Sequence, residues 1–179
     1  MRLHRRQLLL ASGAMAAVPL TGMARGAIQE LKAATPSIPI PPPIGREERL
    51  QRLAKARALM QANGIGAIIV ESGASLDYFT GVQWGRSERL TGTVIPVSGD
   101  PIIVTPFFEK PSVEESLGIP AEVRTWNEHD EPLKLVADFL KERGLAGQPI
   151  GMEETNRYFI LDKLNQQLPG ARVVSANPV

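Results

Sequence analysis

Apolar residues recur at Leu50, Leu53, Ala56 and Met60, with Glu47, Arg49, Arg52 and Lys55 around the rest of the cylinder, and that period predicts a helix over 47–63. Asn63-Gly64 ends it, since glycine accepts the left-handed conformation that closes a helix. Ala67-Ile68-Ile69-Val70 is short and wholly apolar, the mark of a strand covered on both faces. Gly64-Ile65-Gly66 is not a dinucleotide cradle, because it follows a helix and precedes a strand, the reverse of the required order. Two further apolar runs, 92–97 and 101–105, flank Ser98-Gly99-Asp100 and predict a β-hairpin in which Gly99 supplies a positive φ. Ser112 and Glu115 have capping-box spacing for a short helix ending near Gly118. A strand over 121–126 follows, and Asp130-Glu131-Pro132 then opens a helix with proline in its first turn. Leu133, Val136, Ala137 and Leu140 form its stripe and Gly144 ends it. A strand over 149–153, a helix capped by Thr155 and striped by Leu161, Leu164 and Leu168, and a strand over 171–175 complete the chain.

This order predicts an α/β fold with a mixed sheet of about six strands covered by helices. The hairpin supplies antiparallel pairing, and the later strands, joined through helices, are expected to be parallel. One stretch, 76–90, follows neither period. Tyr78 and Phe79 precede Gly81, and Trp84 and Gly85 precede Arg86, Glu88 and Arg89. A turn of helix, a bend at glycine and a charged loop would present Trp84 and Arg86 at a surface. The plainer alternative puts Tyr78 and Phe79 in the core and leaves Arg86, Glu88 and Arg89 as a solvated loop.

Charge changes the picture at the N-terminus. The formal net charge is +1, but Arg2, Arg5, Arg6 and Arg25 lie in residues 1–27 without an acid, and the remaining 16 basic and 19 acidic residues carry −3. A mildly acidic body without a basic stripe argues against nucleic-acid binding. Arg5-Arg6-Gln7-Leu8-Leu9 resembles a twin-arginine export signal, followed by an apolar run too short for a span of roughly 20 residues. Residues 1–27 are therefore expected to be a signal peptide, with membrane contact only during export to the periplasm or beyond. Residues 28–45 carry five prolines within 36–43 and read as a semi-rigid spacer. The folded domain is expected over 46–179.

Candidate chemistry is sparse. The chain has no cysteine, which excludes a thiolate nucleophile, a zinc–thiolate site and a lipid-anchored cysteine. Past the signal the single histidine is His129, in Asn127-Glu128-His129-Asp130-Glu131, a run that reads as a solvated loop with a helix cap more readily than as an ion site. Glu153 and Glu154 are adjacent, so a strand there points them to opposite faces. Ser72, Ser75 and Ser87 have no neighbouring histidine to activate them. No catalytic residue is assigned.

From Arg46 onward the chain resembles the N-terminal domain of the creatinase, prolidase and Xaa-Pro aminopeptidase family of pita-bread metallopeptidases. The carriers are Leu59-Met60-Gln61-Ala62-Asn63-Gly64-Ile65-Gly66-Ala67, Leu76-Asp77-Tyr78-Phe79-Thr80-Gly81, the Ser87-Glu88-Arg89 loop, the hairpin, Gly151-Met152-Glu153 and Val173-Val174-Ser175, in that order. The resemblance implies a ribonuclease-H-like α/β domain. It also implies a metallopeptidase whose two divalent ions (Mn, Co or Zn) sit in a C-terminal catalytic domain, so no metal ligand is expected in this chain. It further implies a homodimer acting on proline-containing peptides, in which this domain leans over the partner's active site. Trp84 and Arg86 match the aromatic and arginine positions of that loop, and are expected to wall the pocket and to pair with a substrate carboxylate. The alternative is a stand-alone envelope interaction domain without peptidase activity; an independent enzyme using His129 ranks third.

Overall fold

In the computed structural model, residues 41–179 are described, and those from Pro43 form one unit. The signal residues, Arg5 and Arg6 among them, and residues 28–40 of the spacer lie outside the described residues. Among the described residues five helices and six strands follow one another: α1 (Arg46–Ala62), β1 (Ala67–Glu71), α2 (Ala74–Thr80), β2 (Gly92–Pro96), β3 (Ile102–Pro106), α3 (Lys110–Ser116), β4 (Glu122–Trp126), α4 (Pro132–Glu142), β5 (Ile150–Met152), α5 (Tyr158–Gln167) and β6 (Val173–Ser175), with a 3-10 turn at Phe107–Glu109 leading into α3. None of these helices is long and apolar enough to cross a membrane.

The strands form one mixed sheet in the order β4-β3-β2-β1-β5-β6. β2 is antiparallel to both β1 and β3, while β3–β4, β1–β5 and β5–β6 are parallel. Five strands therefore run one way and β2 runs against them. Side-chain alternation splits the core in two. Ala67, Ile69, Ile102 and Val104 face α4 and α5, whereas Ile68, Val70, Ile95 and Ile103 face the layer that holds Leu53, Met60 and Val113. Both faces of β1 are buried, which is why its sequence shows no period of two.

Local chemistry departs from the sequence expectation at four places. Leu50 is 39% exposed, and Arg49 is buried in its stead, donating to the Asp77 backbone carbonyl and, at 3.0 Å, to the Asp77 carboxylate. The α1 stripe is thus Arg49, Leu53, Ala56 and Met60, the arginine stem covering apolar surface while its head locks α2. Ser112 lies inside α3, which is entered from the 3-10 turn through Glu109 and Pro111, so no capping box forms. Thr155 stands in the turn before α5, whose N-cap is Arg157. Ile160 and Leu164 carry the buried face of α5, and Leu161 is half-buried. Tyr78 is exposed, with the Arg52 guanidinium over its ring, so only Phe79 of that pair contributes to the core.

Gly81 closes α2 with φ +87°, and an added Cβ there would lie 3.0 Å from the backbone of both Ser116 and Gly118. Only glycine satisfies the angle and the space together. The strand β4 forms one edge of the sheet, and its Arg124 is shared between Glu122 (2.8 Å) and Glu142 (2.6 Å), a charged edge of the kind that discourages strand addition. The Arg124 hydrogen bond holds the Glu122 carboxyl below its usual 4.5, against the opposing effect of burial. A carboxyl depressed in the folded state contributes stability that is complete above its unfolded pKa and is lost as pH falls through the folded value. The thermal midpoint is therefore expected to hold down to about pH 5 and to drop below about pH 4.5. Glu122→Gln removes part of that drop; an acid limb identical in variant and parent excludes Glu122 as a contributor.

Candidate functional site

Because five strands share a direction, Glu71, Pro106, Trp126, Met152 and Ser175 all end at one edge of the sheet. In open α/β sheets this carboxyl edge is where ligands bind, since loops there diverge and leave room. The segment from Gly81 to Gly92 crosses this edge to enter β2, opposite Glu71 in the register. It is the stretch that had no period in the sequence.

The segment is irregular but held at several points. Val82 is buried and Trp84 half-buried against the α1–α2 side of the core. The Trp126 indole N–H donates to the Leu90 carbonyl at 3.0 Å, and the buried Ser72 hydroxyl donates to the Thr91 carbonyl at 2.6 Å. Arg89 pairs with Glu88 (2.7 Å) and with Glu128, and its guanidinium lies 5.5 Å from the centre of the Phe108 ring. The Arg89 hydrogen bond and charge hold the Glu128 carboxyl below the ordinary range. Thr91 and Thr105, both buried, donate to Glu109 at 2.9 and 3.2 Å.

Arg86 has a different setting. Its Nε donates to the Ser72 carbonyl at 3.2 Å and a terminal nitrogen donates to Thr155 Oγ1 at 2.8 Å. Glu71 Oε2 lies 3.9 Å from Nε, yet the Arg86 side chain remains 41% exposed. Glu71 itself is fully buried and is satisfied by Arg157, whose Nε approaches Oε1 at 2.6 Å, whose second terminal nitrogen also contacts Oε1, and whose backbone N–H donates to Oε2 at 3.3 Å. One carboxylate thus faces two guanidinium groups. The cluster carries a surplus positive charge, and the more exposed of its two bearers is Arg86. An exposed guanidinium with unused N–H groups is suited to a carboxylate, which it can meet with two parallel hydrogen bonds.

Two of the clefts at this edge hold exposed aromatic residues. One of about 220 Å³ is lined by Arg89, Pro106, Phe107, Phe108, Trp126 and Glu128. The other, of about 360 Å³, lies beyond Arg157 and is lined by Met152, Glu154, Asn156, Tyr158 and Ser175 among others. Phe107, Phe108 and Tyr158 are all exposed here.

The remaining candidates are spent elsewhere. His129 is exposed on the turn between β4 and α4, where Asp130 accepts from the Asn127 backbone and side chain. Ser75 donates to Glu153 and Ser87 turns back on the Arg89 backbone. Glu153 and Glu154 sit in the turn after β5 and diverge, one to Ser75 and the other to Asn177. Sequence reasoning missed Glu71, Arg157 and Thr155 as neighbours of Arg86. The signal available for Glu71 was an acid closing a wholly apolar run that is buried on both faces, where a lone carboxylate requires a partner.

The profile of the creatinase/prolidase N-terminal domain matches residues 52–179. The chain belongs to that family. Among its relatives, the probable dipeptidase PepE of Mycobacterium tuberculosis is 30% identical over 108 residues, 59% of this chain and 28% of that protein. An uncharacterized peptidase of Schizosaccharomyces pombe is 31% identical over 130 residues, 61% of this chain and 29% of that one. The crystal structure of dipeptidase PepE from Mycobacterium ulcerans superposes with a TM-score of 0.64 at 29% identity, covering 75% of this chain and 36% of that chain. The creatinase/prolidase N-terminal domain of an X-Pro dipeptidase from Streptococcus pyogenes superposes at 0.62 with 15% identity, covering 72% of this chain and 95% of that domain, and shows the shared fold. This chain thus spans 28–29% of the length of these sequence relatives. The mixed sheet covered by helices is that of the family. The two-ion centre implied by the family resemblance requires several carboxylates and a histidine converging on one point. Among the described residues no group of three or more His, Cys, Asp or Glu does so, and the residues present do not fit such a centre.

Proposed function

We propose that this chain is the non-catalytic N-terminal domain of an exported, metal-dependent Xaa-Pro aminopeptidase or prolidase-like enzyme. In this reading Arg5 and Arg6 direct export through the twin-arginine route, and the domain contributes to a homodimer. The loop through Trp84 and Arg86 covers the partner subunit's active site, and the divalent ions (Mn, Co or Zn) belong to a C-terminal catalytic domain. Arg86 pairs with the carboxylate of a proline-containing peptide and Trp84 walls the pocket. The observation that carries this reading is the exposed Arg86 guanidinium beside a carboxylate that Arg157 already satisfies.

In the enzyme that carries this domain, Trp84→Ala with Arg86→Ala is expected to raise KM about fivefold or more with kcat changed less, because the lost contacts bind the substrate without touching its reacting bond. Unchanged kinetics would remove the assignment. A second reading, an envelope interaction domain without peptidase activity, draws on the exposed Phe107, Phe108 and Tyr158 at the same edge, since aromatic residues are enriched at interfaces. An open reading frame beyond Val179 encoding the family's aspartate, histidine and glutamate ligands supports the enzyme, and a stop codon there supports the interaction domain.

A further inference from the structure

We propose that Arg157, on the turn between β5 and α5, is a positioning residue that keeps Arg86 available to an incoming carboxylate. The inference rests on the reading of Arg86 given above, and goes beyond it in assigning a residue 71 positions away in sequence to the same ligand.

Three observations support it. The first is charge. Glu71 has no exposed surface, so its carboxylate must be neutralised within the protein. Arg157 meets it closely through Nε, a terminal nitrogen and the backbone N–H, whereas Arg86 stands off at 3.9 Å. Without Arg157, Arg86 is the remaining cation within reach, and the buried charge would draw it inward and consume the donors a ligand needs.

The second observation is a direct tether. Another Arg157 nitrogen donates to the Ser87 carbonyl at 2.5 Å, the residue that follows Arg86, so the same guanidinium holds both the counter-charge and the loop. The third is the rigidity of Arg157 itself. Its guanidinium lies 4.7 Å from the centre of the Phe159 ring, and its neighbour Asn156 donates to the Ile69 carbonyl at 3.1 Å, fixing the turn to β1. Arg157 is thus anchored to strand, loop and ring together, while Arg86 is left with exposed donors.

The test has two arms. In the isotopically labelled 179-residue chain, NMR measures solvent exchange of the Arg86 terminal guanidinium protons, since the Nε–H is already bonded to the Ser72 carbonyl. Arg157→Met is expected to slow it at least about tenfold as Arg86 closes on Glu71, and Arg157→Lys to restore most of the wild-type rate. Adding Glu71→Gln to Arg157→Met is expected to release Arg86 again. In the enzyme that carries this domain, the second arm compares kcat/KM for a proline-containing peptide with a free C-terminal carboxylate and for the same peptide as its amide. The wild type is expected to favour the carboxylate about tenfold or more, and Arg157→Met to lose most of that preference, as Arg86→Ala does. A preference that survives Arg157→Met, or an Arg86 exchange rate that does not change, overturns this inference alone. No preference in the wild type overturns the reading of Arg86 itself. Should Arg157→Met fail to fold, Arg157→Lys still decides: the short point charge keeps Glu71 satisfied but loses the Ser87 tether, and an intermediate preference is expected.

Discussion

Truncating Phe139 to alanine lowers the unfolding free energy by about 3–5 kcal/mol, a large share of the total of about 5–15 kcal/mol typical of a domain. Phe139 is fully buried in α4 and belongs to the larger of the two core clusters. Its ring is roofed by Arg124 and Arg143, whose guanidinium carbons lie 5.5 and 5.2 Å from its centre. Alanine removes the buried ring, leaves a cavity between α4 and the sheet, and takes away the aromatic face on which both cations rest. Arg124 also bonds Glu122 and Glu142, so the loss extends to the charged edge of β4. Denaturant titration followed by far-ultraviolet circular dichroism measures the change, and a loss below about 1 kcal/mol would mean that the site collapses without a cavity. Phe139→Leu keeps most of the volume and is expected to cost about 1 kcal/mol.

Gly92→Ala is the second large effect, expected at about 2–3 kcal/mol for a single added methyl group. Its Cβ would fall 2.7 Å from the Val70 carbonyl oxygen and 3.4 Å from the Glu71 Cα, both backbone atoms of the paired strand. Backbone in the middle of a sheet cannot move aside as a flexible side chain can, so β1 and β2 must separate. They separate at the pair Glu71–Gly92, where the buried carboxylate meets Arg157. The variant is therefore expected to lose amide protection in residues 84–92 beyond its global destabilisation. Gly147, where an added Cβ meets nothing within 4 Å, serves as the control and is expected to accept alanine with little change. Equal stabilities for the two variants would show that the strand pair tolerates the methyl group.

The order of elements is legible in the sequence because hydrophobic period changes sharply along it. Leu133, Val136, Ala137 and Leu140 lie on one helical stripe, and all four are buried in α4. Phe139 stands off that stripe and is buried as well, because arginines from β4 and from the end of α4 close over it; periodicity carries no sign of such a roof. Leu50 and Arg49 exchange their expected places for a similar reason. The position facing α2 is decided by Asp77, 28 residues away, and a charged partner there favours arginine over leucine. Ser112 and Thr155 have the chemistry of helix caps, but neighbouring geometry displaces both, one by an entering 3-10 turn and the other by a start at Arg157. The site divides in the same way. Trp84 and Arg86 stand out locally, by composition and lack of period. Glu71 and Arg157 are 86 residues apart, and only the parallel pairing of β1 with β5 brings them together.

The chain has two tryptophans, and both belong to the irregular crossing at the carboxyl edge: Trp84 lies within it and Trp126 holds its last turn through Leu90. Intrinsic fluorescence therefore reports on that edge, with no indole elsewhere in the chain to dilute the signal. A peptide, a metal-bearing partner or a second subunit arriving there would shift the emission of the unmodified protein, so this surface comes with its own optical probe.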